Sequence, residues 1–187
     1  MISALVSSYW IDDKKPEILK KCLDSLEGAD EILSLVTHKK SPLGFADAWN
    51  RLATLARGDY LIFIGDNNSL TKGDLKDLCV PDTVTSPLIN GRGQEFWGMV
   101  FCMPRSIYKK IGLYDMRFNN GNHWEDQDLW DRLRLANIPR ISISSVDFHR
   151  PQGGRTIDAD PNANYKKSIN AEIFKEKWSH ENISTHA

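Results

Sequence analysis

Apolar residues recur along this chain at two alternating periods. Ile2 to Ser8 is a short run of β-branched and apolar residues and predicts a first strand. Pro16 suits the first turn of a helix. Ile18, Leu19, Cys22, Leu23 and Leu26 then repeat at helical spacing, and Gly28 follows as a stop. Glu31 to Val36 predicts a second strand. Phe45, Ala48, Trp49, Leu52, Leu55 and Ala56 form one face of a second helix, with Gly58 after it. Tyr60 to Ile64 is almost continuously apolar, the pattern of a parallel strand covered on both faces. Thr71 is placed to cap a short helix through Leu78. Thr83 to Ile89 and Phe96 to Met103 predict strands, separated by a flexible turn over Gly91 to Gln94. A helix around Arg105 to Ile111 stops at Gly112, and Leu129, Trp130, Leu133 and Ala136 line another. Ile141 to Val146 is the last clear strand. A C-terminal helix is expected over Ala163 to Trp178, and Ser179 to Ala187 reads as a frayed tail.

The opening β-α-β-α-β order predicts an α/β protein with a mostly parallel central sheet. No internal repeat or low-complexity linker divides the 187 residues, so they are expected to form one domain, 1–187, with a sizeable core. Composition leaves that picture unchanged, with 41% hydrophobic and 26% charged residues as in an ordinary globular chain. It does narrow the partners. A formal net charge of −1 offers no electrostatic case for nucleic acid, and no apolar run approaches the ~20 residues of a transmembrane segment. The N-terminus lacks a basic start and a long apolar region, so it reads as a strand rather than a signal peptide. Cys22, Cys79 and Cys102 are scattered, odd in number and apolar in context, which points to free thiols in a reducing, cytoplasmic setting. In that setting the sequon Asn182-Ile183-Ser184 has no meaning. The long irregular stretch Pro151 to Asn162, rich in Gly, Pro, Asn and Asp, has the composition of a functional lid.

The apolar run ending at Ile64 gives way abruptly to Gly65-Asp66-Asn67-Asn68. In open α/β sheets ligands bind beyond the carboxyl ends of the strands. A carboxylate and two amides at that point are placed to hold a metal or a sugar nucleotide. Glu125-Asp126-Gln127-Asp128 gathers carboxylates in a first helical turn, where the helix dipole favours each by typically ~0.3–1 kcal/mol. Asp128 and Arg132 stand at i, i+4 and are spaced to pair on the helix. The dipole does not account for His123-Trp124 beside them, a polar and an aromatic group where a sugar could stack.

Three motifs in order give the chain a resemblance. The first is Asn50 on a helix, then Gly58-Asp59-Tyr60 and a strand ending at Asp66. The second is His123-Trp124-Glu125-Asp126-Gln127-Asp128-Leu129-Trp130-Asp131-Arg132, and the third is Val146-Asp147-Phe148-His149-Arg150-Pro151-Gln152-Gly153-Gly154-Arg155-Thr156. Together they resemble the family-2 glycosyltransferases: an Asp-x-Asp-like strand end, a Trp-Glu-Asp-x-Asp-Leu…Arg motif, and a late His followed by Gly and Ser/Thr. The resemblance implies the GT-A fold, a Rossmann-like three-layer α/β sandwich. It also implies an inverting glycosyltransferase, a hexosyl- or related transferase, moving a sugar from a nucleoside-diphosphate sugar to a glycan or other hydroxyl acceptor. In that reaction the leaving diphosphate must be neutralised, often by Mg²⁺ or Mn²⁺, and the acceptor hydroxyl gains from a base. The resemblance makes Asp126 the base, and Asp66, Asn67 and His149 the ligands of a divalent metal. It sets Ser7 and Tyr9, or Trp10, at the nucleobase and ribose. Asn50, Asp66, Trp97, Gly98, Trp124, Glu125 and Arg155 are then the contacts to donor or acceptor, and Arg150 with Arg155 offers charge for the diphosphate.

The chain departs from the family's pattern at two places. The usual first Asp of Asp-x-Asp is Gly65, and the usual last one, the main metal ligand, is Asn67. An amide oxygen is a weaker ligand for a hard cation than a carboxylate, so metal binding is expected to be weak or dispensable. The second strand ends Val36-Thr37-His38, without the Asp that usually holds the base or ribose, which leaves the nucleotide open. These losses motivate a rival reading, a catalytically degenerate protein that binds a nucleotide sugar or a glycan without turnover. A nucleotidyltransferase is disfavoured because no Gly-rich phosphate loop with a Lys follows the first strand. The chain is short for the family, which leaves room for an oligomer or a partner subunit at the acceptor side.

Overall fold

The computed structural model describes residues 1–10, 15–38, 43–119, 123–151 and 162–179. Its strands are β1 (Ile2–Trp10), β2 (Glu31–His38), β3 (Tyr60–Gly65), β4 (Ser69–Lys72), β5 (Val84–Ile89), β6 (Val100–Pro104) and β7 (Arg140–His149). Its helices are α1 (Lys15–Asp24), α2 (Phe45–Leu55), α3 (Arg105–Ile111), α4 (Glu125–Leu135) and α5 (Ala163–Trp178), with short 3-10 turns at Leu75–Leu78 and Met116–Phe118. The strands make one sheet in the order β2-β1-β3-β6-β5-β7-β4. β1, β2, β3, β5 and β7 run in one direction, while β6 and β4 run against them.

β3 shows why the sheet is the middle of three layers. Leu61 and Phe63 enter one core with Leu5, Phe101, Trp49 and Leu52 of α2, Ile107 of α3, and Leu129 and Leu133 of α4. Ile62 and Ile64, on the other face, enter a second core with Ala4, Val6, Cys102, and Leu19 and Cys22 of α1. The Phe63 and Phe101 rings stack at 4.6 Å across the β3–β6 pair. Burial on both faces is what an unbroken apolar strand requires. Among the described residues no helix is long and apolar enough to cross a membrane. Cys22 and Cys102 are buried and Cys79 is partly so; all three thiols are free.

Long-range contacts set several boundaries differently from the local pattern. Thr71 lies in β4 rather than at a helix start. The cap of the 3-10 turn is Asp74, whose side chain accepts from Lys76 N at 2.9 Å. β4 exists because β7 pairs with it, Ser69 opposite His149 and Leu70 opposite Phe148. The same pairing carries β7 on to His149, beyond the predicted end at Val146. The strand expected from Phe96 begins only at Val100, because the chain turns at Gly98 and Met99 to meet two other elements. Helix α2 has no side-chain cap of its own. Asn119 supplies it, its carbonyl accepting from Phe45 N at 2.7 Å and its Oδ1 from Asp47 N at 2.9 Å. Gly44 permits this, since a Cβ there would lie 2.2 Å from the Asn119 carbonyl oxygen.

Phe101→Ala is expected to remove about 3–5 kcal/mol of stability, the usual cost of emptying a large buried aromatic site. The midpoint of a denaturant titration measures it. A loss under about 1 kcal/mol would mean the two faces of β3 and β6 are not packed as described.

Candidate active site

The carboxyl ends of β1 and β3 lie side by side, Ser7 opposite Gly65. Past that edge the chain turns through Asp66, Asn67 and Asn68, with Asn68 N donating to Gly65 O at 3.0 Å. Asp66 is buried, and Ser8 Oγ donates to its Oδ2 at 2.5 Å. Side chains alternate along a strand, so Ser7 and Tyr9 face the side of the sheet covered by α2 and α4. Asn50 of α2 bonds the backbone of Tyr114. Its Nδ2 donates to Tyr114 O at 2.8 Å, and Tyr114 N donates to its Oδ1 at 3.1 Å.

Helix α4 begins at an unusual backbone. His123 and Trp124 both hold positive φ, at 74° and 76°, a conformation that costs non-glycine residues energy and clusters at functional sites. Asn170 of α5 donates to His123 O at 3.0 Å, and the Trp124 ring lies 4.8 Å from Phe174. The helix then presents Glu125, buried, and Asp126, half-buried, in its first turn. Tyr114 OH donates to Asp126 Oδ1 at 3.1 Å, with Gly98 O a second acceptor within reach at 3.4 Å. Burial pushes both carboxyls up from their ordinary values; the neighbouring Asp126 charge adds to the rise at Glu125, and the Tyr114 hydrogen bond opposes it at Asp126. Glu125 Oε2, Trp97 Nε1 and Trp124 Nε1 are buried without a hydrogen-bond partner among the described residues. Polar atoms left so in a folded protein call for an explanation.

Asp128 is wholly buried and holds the helix in place. It accepts from Arg132 Nε at 2.9 Å and from Trp178 Nε1 at 3.1 Å, and it pairs with Lys177 Nζ at 2.6 Å. Arg132 also donates to the carbonyls of Ile111 and Leu113. The i, i+4 pairing expected from sequence is therefore one edge of a network that ties α4 to α5 and to the segment after α3.

The two ends of the site meet at Gly98-Met99. Met99 O accepts from Gly65 N at 2.8 Å. A Cβ on Gly98 would fall 2.1 Å from the Asp126 carboxyl carbon, so the helix start abuts the bare backbone there. The Arg150 guanidinium contacts Met99 Sδ, while the Arg150 backbone is clipped to Asn90 by N to Oδ1 at 3.0 Å and Nδ2 to O at 2.8 Å. Trp97 N donates to Ser86 Oγ at 3.0 Å. The turn that carries Asp66, the Asp126 carboxyl and the Arg150 guanidinium thus each adjoin one two-residue crossing, Asp66 through the backbone of Gly65. His149 is exposed on β7, opposite Ser69 just past the Asp66 turn. Arg155 and most of the segment expected to act as a lid, 152–161, lie outside the described residues. Sequence reasoning missed Tyr114, Met99 and Asn119; each acts through a contact distant along the chain and carries no local signature.

The donors expected for a divalent cation form a poor set. Asp66 already accepts from Ser8, Asn67 Oδ1 accepts from Asn68 Nδ2 at 3.0 Å, and His149 brings a single imidazole. Among the described residues no group of three or more His, Cys, Asp or Glu could hold a metal ion. One carboxylate, one neutral amide and one imidazole do not by themselves fit a hard dication.

No family model matches the sequence, and no curated protein matches it. Solved structures do match the fold. Staphylococcus aureus TarS 1-349 in complex with UDP-GlcNAc superposes with a TM-score of 0.60 at 14% identity, covering 96% of this chain and 73% of that one. GalNAc-T7 with UDP, GalNAc and Mn²⁺ gives 0.63 at 12%, covering 96% and 52%. The mannosyltransferase PcManGT from Pyrobaculum calidifontis, in complex with GDP-Man and Mn²⁺, gives 0.60 at 12%, covering 93% and 69%. At these identities the likeness is one of fold: the chain has the GT-A fold. It spans about half the length of GalNAc-T7 and about seven-tenths of the other two.

Glu125 lends itself to a test of the site's electrostatics. Its carboxyl titrates higher in the folded protein than in the unfolded chain, so the stability it contributes is full below the unfolded value and is lost as pH rises through the folded one. Glu125→Gln removes that loss. Its melting temperature relative to wild type is expected to climb between about pH 5 and about pH 8. A difference that stays flat with pH would show an ordinary, solvated carboxylate.

Proposed function

We propose that this protein is an inverting glycosyltransferase that moves a sugar from a nucleoside-diphosphate sugar to an acceptor hydroxyl, with residues 1–187 acting as one catalytic domain. The observation that carries the reading is the meeting of the Asp66 turn, the Asp126 carboxylate and the Arg150 guanidinium at Gly98-Met99, at the carboxyl edge of a GT-A sheet. Ligands bind at that edge in open α/β folds. The named contents of similar structures, UDP-GlcNAc and GDP-Man, support a nucleotide sugar as donor.

In this mechanism the nucleobase and ribose lie against Ser7 and Tyr9. The acceptor oxygen attacks the anomeric carbon in line while the bond to the diphosphate breaks, and Asp126 takes the hydroxyl proton. Glu125, Trp97 and Trp124 offer their unpaired polar atoms to the sugar or acceptor. Arg150 and His149 face the leaving nucleoside diphosphate, and no step is assigned to a metal. A second reading, a nucleotide-sugar or glycan binder without turnover, is motivated by Asn67 in place of the usual Asp and by the missing Asp at the end of β2. Release of free sugar or nucleoside diphosphate from a panel of UDP- and GDP-sugars separates the two.

Asp126→Asn is expected to lower turnover by about 10²–10⁴-fold, the usual contribution of a general base, with nucleotide affinity nearly unchanged. Wild-type turnover in that variant would remove Asp126 from the role. Activity is also expected to survive EDTA better than in enzymes with a full Asp-x-Asp, and to respond weakly to added Mn²⁺. Tight, stoichiometric binding of Mn²⁺ by the free protein, read by calorimetry, would contradict this.

A further inference from the structure

The hydroxyl that holds Asp126 belongs to Tyr114, which lies on neither a helix nor a strand of the sheet. Tyr114 is buried, its ring 5.1 Å from Phe45 of α2 in a tilted contact. Its backbone is fastened at both polar atoms by the Asn50 side chain. Its hydroxyl has one proton to donate and two acceptors within reach, Asp126 Oδ1 at 3.1 Å and Gly98 O at 3.4 Å. Burying a tyrosine ring in a core does not by itself require its backbone to be bonded at both polar atoms. The double clasp fixes where the hydroxyl ends, and the hydroxyl then fixes one carboxylate oxygen.

The other groups around Asp126 do not do this. Glu125, beside it on α4, is another acid. Gly98 presents bare backbone and leaves room for the carboxyl without bonding it through a side chain. Arg132, whose charge also acts on Tyr114, directs its bonds to Asp128 and to the carbonyls of Ile111 and Leu113. The Tyr114 hydroxyl is therefore the side-chain donor to the Asp126 carboxylate among the described contacts.

We infer that Tyr114 is the positioning residue of the reaction: held by Asn50, it orients the Asp126 carboxylate and keeps it ionised, leaving Oδ2 to receive the proton of the acceptor hydroxyl. The inference rests on the assignment of Asp126 as the base. Burial alone would drive this carboxyl toward its protonated, useless form. A hydrogen bond donated to the charged form opposes that, and such bonds are the stronger class. The phenol stays protonated throughout, since burial and the two neighbouring carboxylates push its own pKa well above the ordinary value. The device thus donates across the working pH range and does not itself titrate.

The test is Tyr114→Phe, which keeps the ring and the Asn50 clasp and removes only the hydroxyl. The Asp126 carboxyl is followed by ¹³C NMR in protein labelled at Asp, with its resonance assigned by its loss in Asp126→Asn. Its midpoint is expected to move upward by about one pH unit in Tyr114→Phe, while the melting temperature changes little. With a donor sugar that turns over, the acid limb of the pH–rate profile is expected to move in the same direction. Turnover on the plateau is expected to fall about ten- to hundredfold. In an Asp126→Asn background the same change is expected to cost nothing more, because the residue it serves is gone. An unchanged Asp126 titration overturns the inference, and so do losses that add in the double variant. Should Tyr114→Phe fail to fold, Asn50→Asp replaces one strand of the clasp and is expected to broaden and raise the same titration; an unaltered curve there overturns the inference equally. A wild type that turns over no nucleotide sugar would sink the transferase reading separately and leave the NMR titration to decide this one.

Discussion

A wholly buried carboxylate, Asp128, holds together the elements on which the site is built. Taking such a charge out of water costs several kcal/mol unless it is paired and hydrogen-bonded. Arg132, Lys177 and Trp178 satisfy it. Lys177 goes on to Asp115 at 2.7 Å, and Arg117 joins Asp115 at 2.8 Å. The result links α4, α5 and the segment after α3 through one set of paired charges. The position of α4's first turn, and with it Glu125 and Asp126, follows from where Asp128 must sit three residues later.

The first turn is electrically uncomfortable by contrast. Glu125 and Asp126 are adjacent acids with burial acting on both, and their relief comes from the helix N-terminus and from Tyr114. The two positive-φ residues that precede them add backbone strain. Within one helical turn, the well-paired Asp128 anchors the start of α4 while Glu125 and Asp126 bear the cost of burial. The GT-A sheet sets the other half: β3, packed on both faces, ends where the chain must turn, and that turn carries Asp66.

Much of this was legible in the chain. The 3.6 and continuous apolar periods located β1, α2, β3, α3 and α5 to within a few residues, and the polar break after Ile64 marked the sheet edge. The acidic stretch from Glu125 to Asp128 was visible as a helix start. The Asp128–Arg132 pair was visible in its i, i+4 spacing, but the complete burial of Asp128 and its sharing with Lys177 and Trp178 were not. Folding makes Asp128 the buried partner of two cations and leaves Asp126 facing Gly98.

By itself, then, the sequence determined the α/β class, the order of the elements and the places where polar chemistry interrupts apolar runs, because period and local propensity are properties of neighbouring residues. Only the tertiary structure decided that Asn119 caps α2, that Asn50 clasps Tyr114, that β7 draws Ser69–Lys72 into a strand, and that Gly98-Met99 lies between the Asp66 turn and Asp126. Each of these depends on two segments far apart in the chain meeting at hydrogen-bond distance. Such pairings are selected by the packing of whole layers and by the need to satisfy buried polar groups, and no local stretch of residues encodes them.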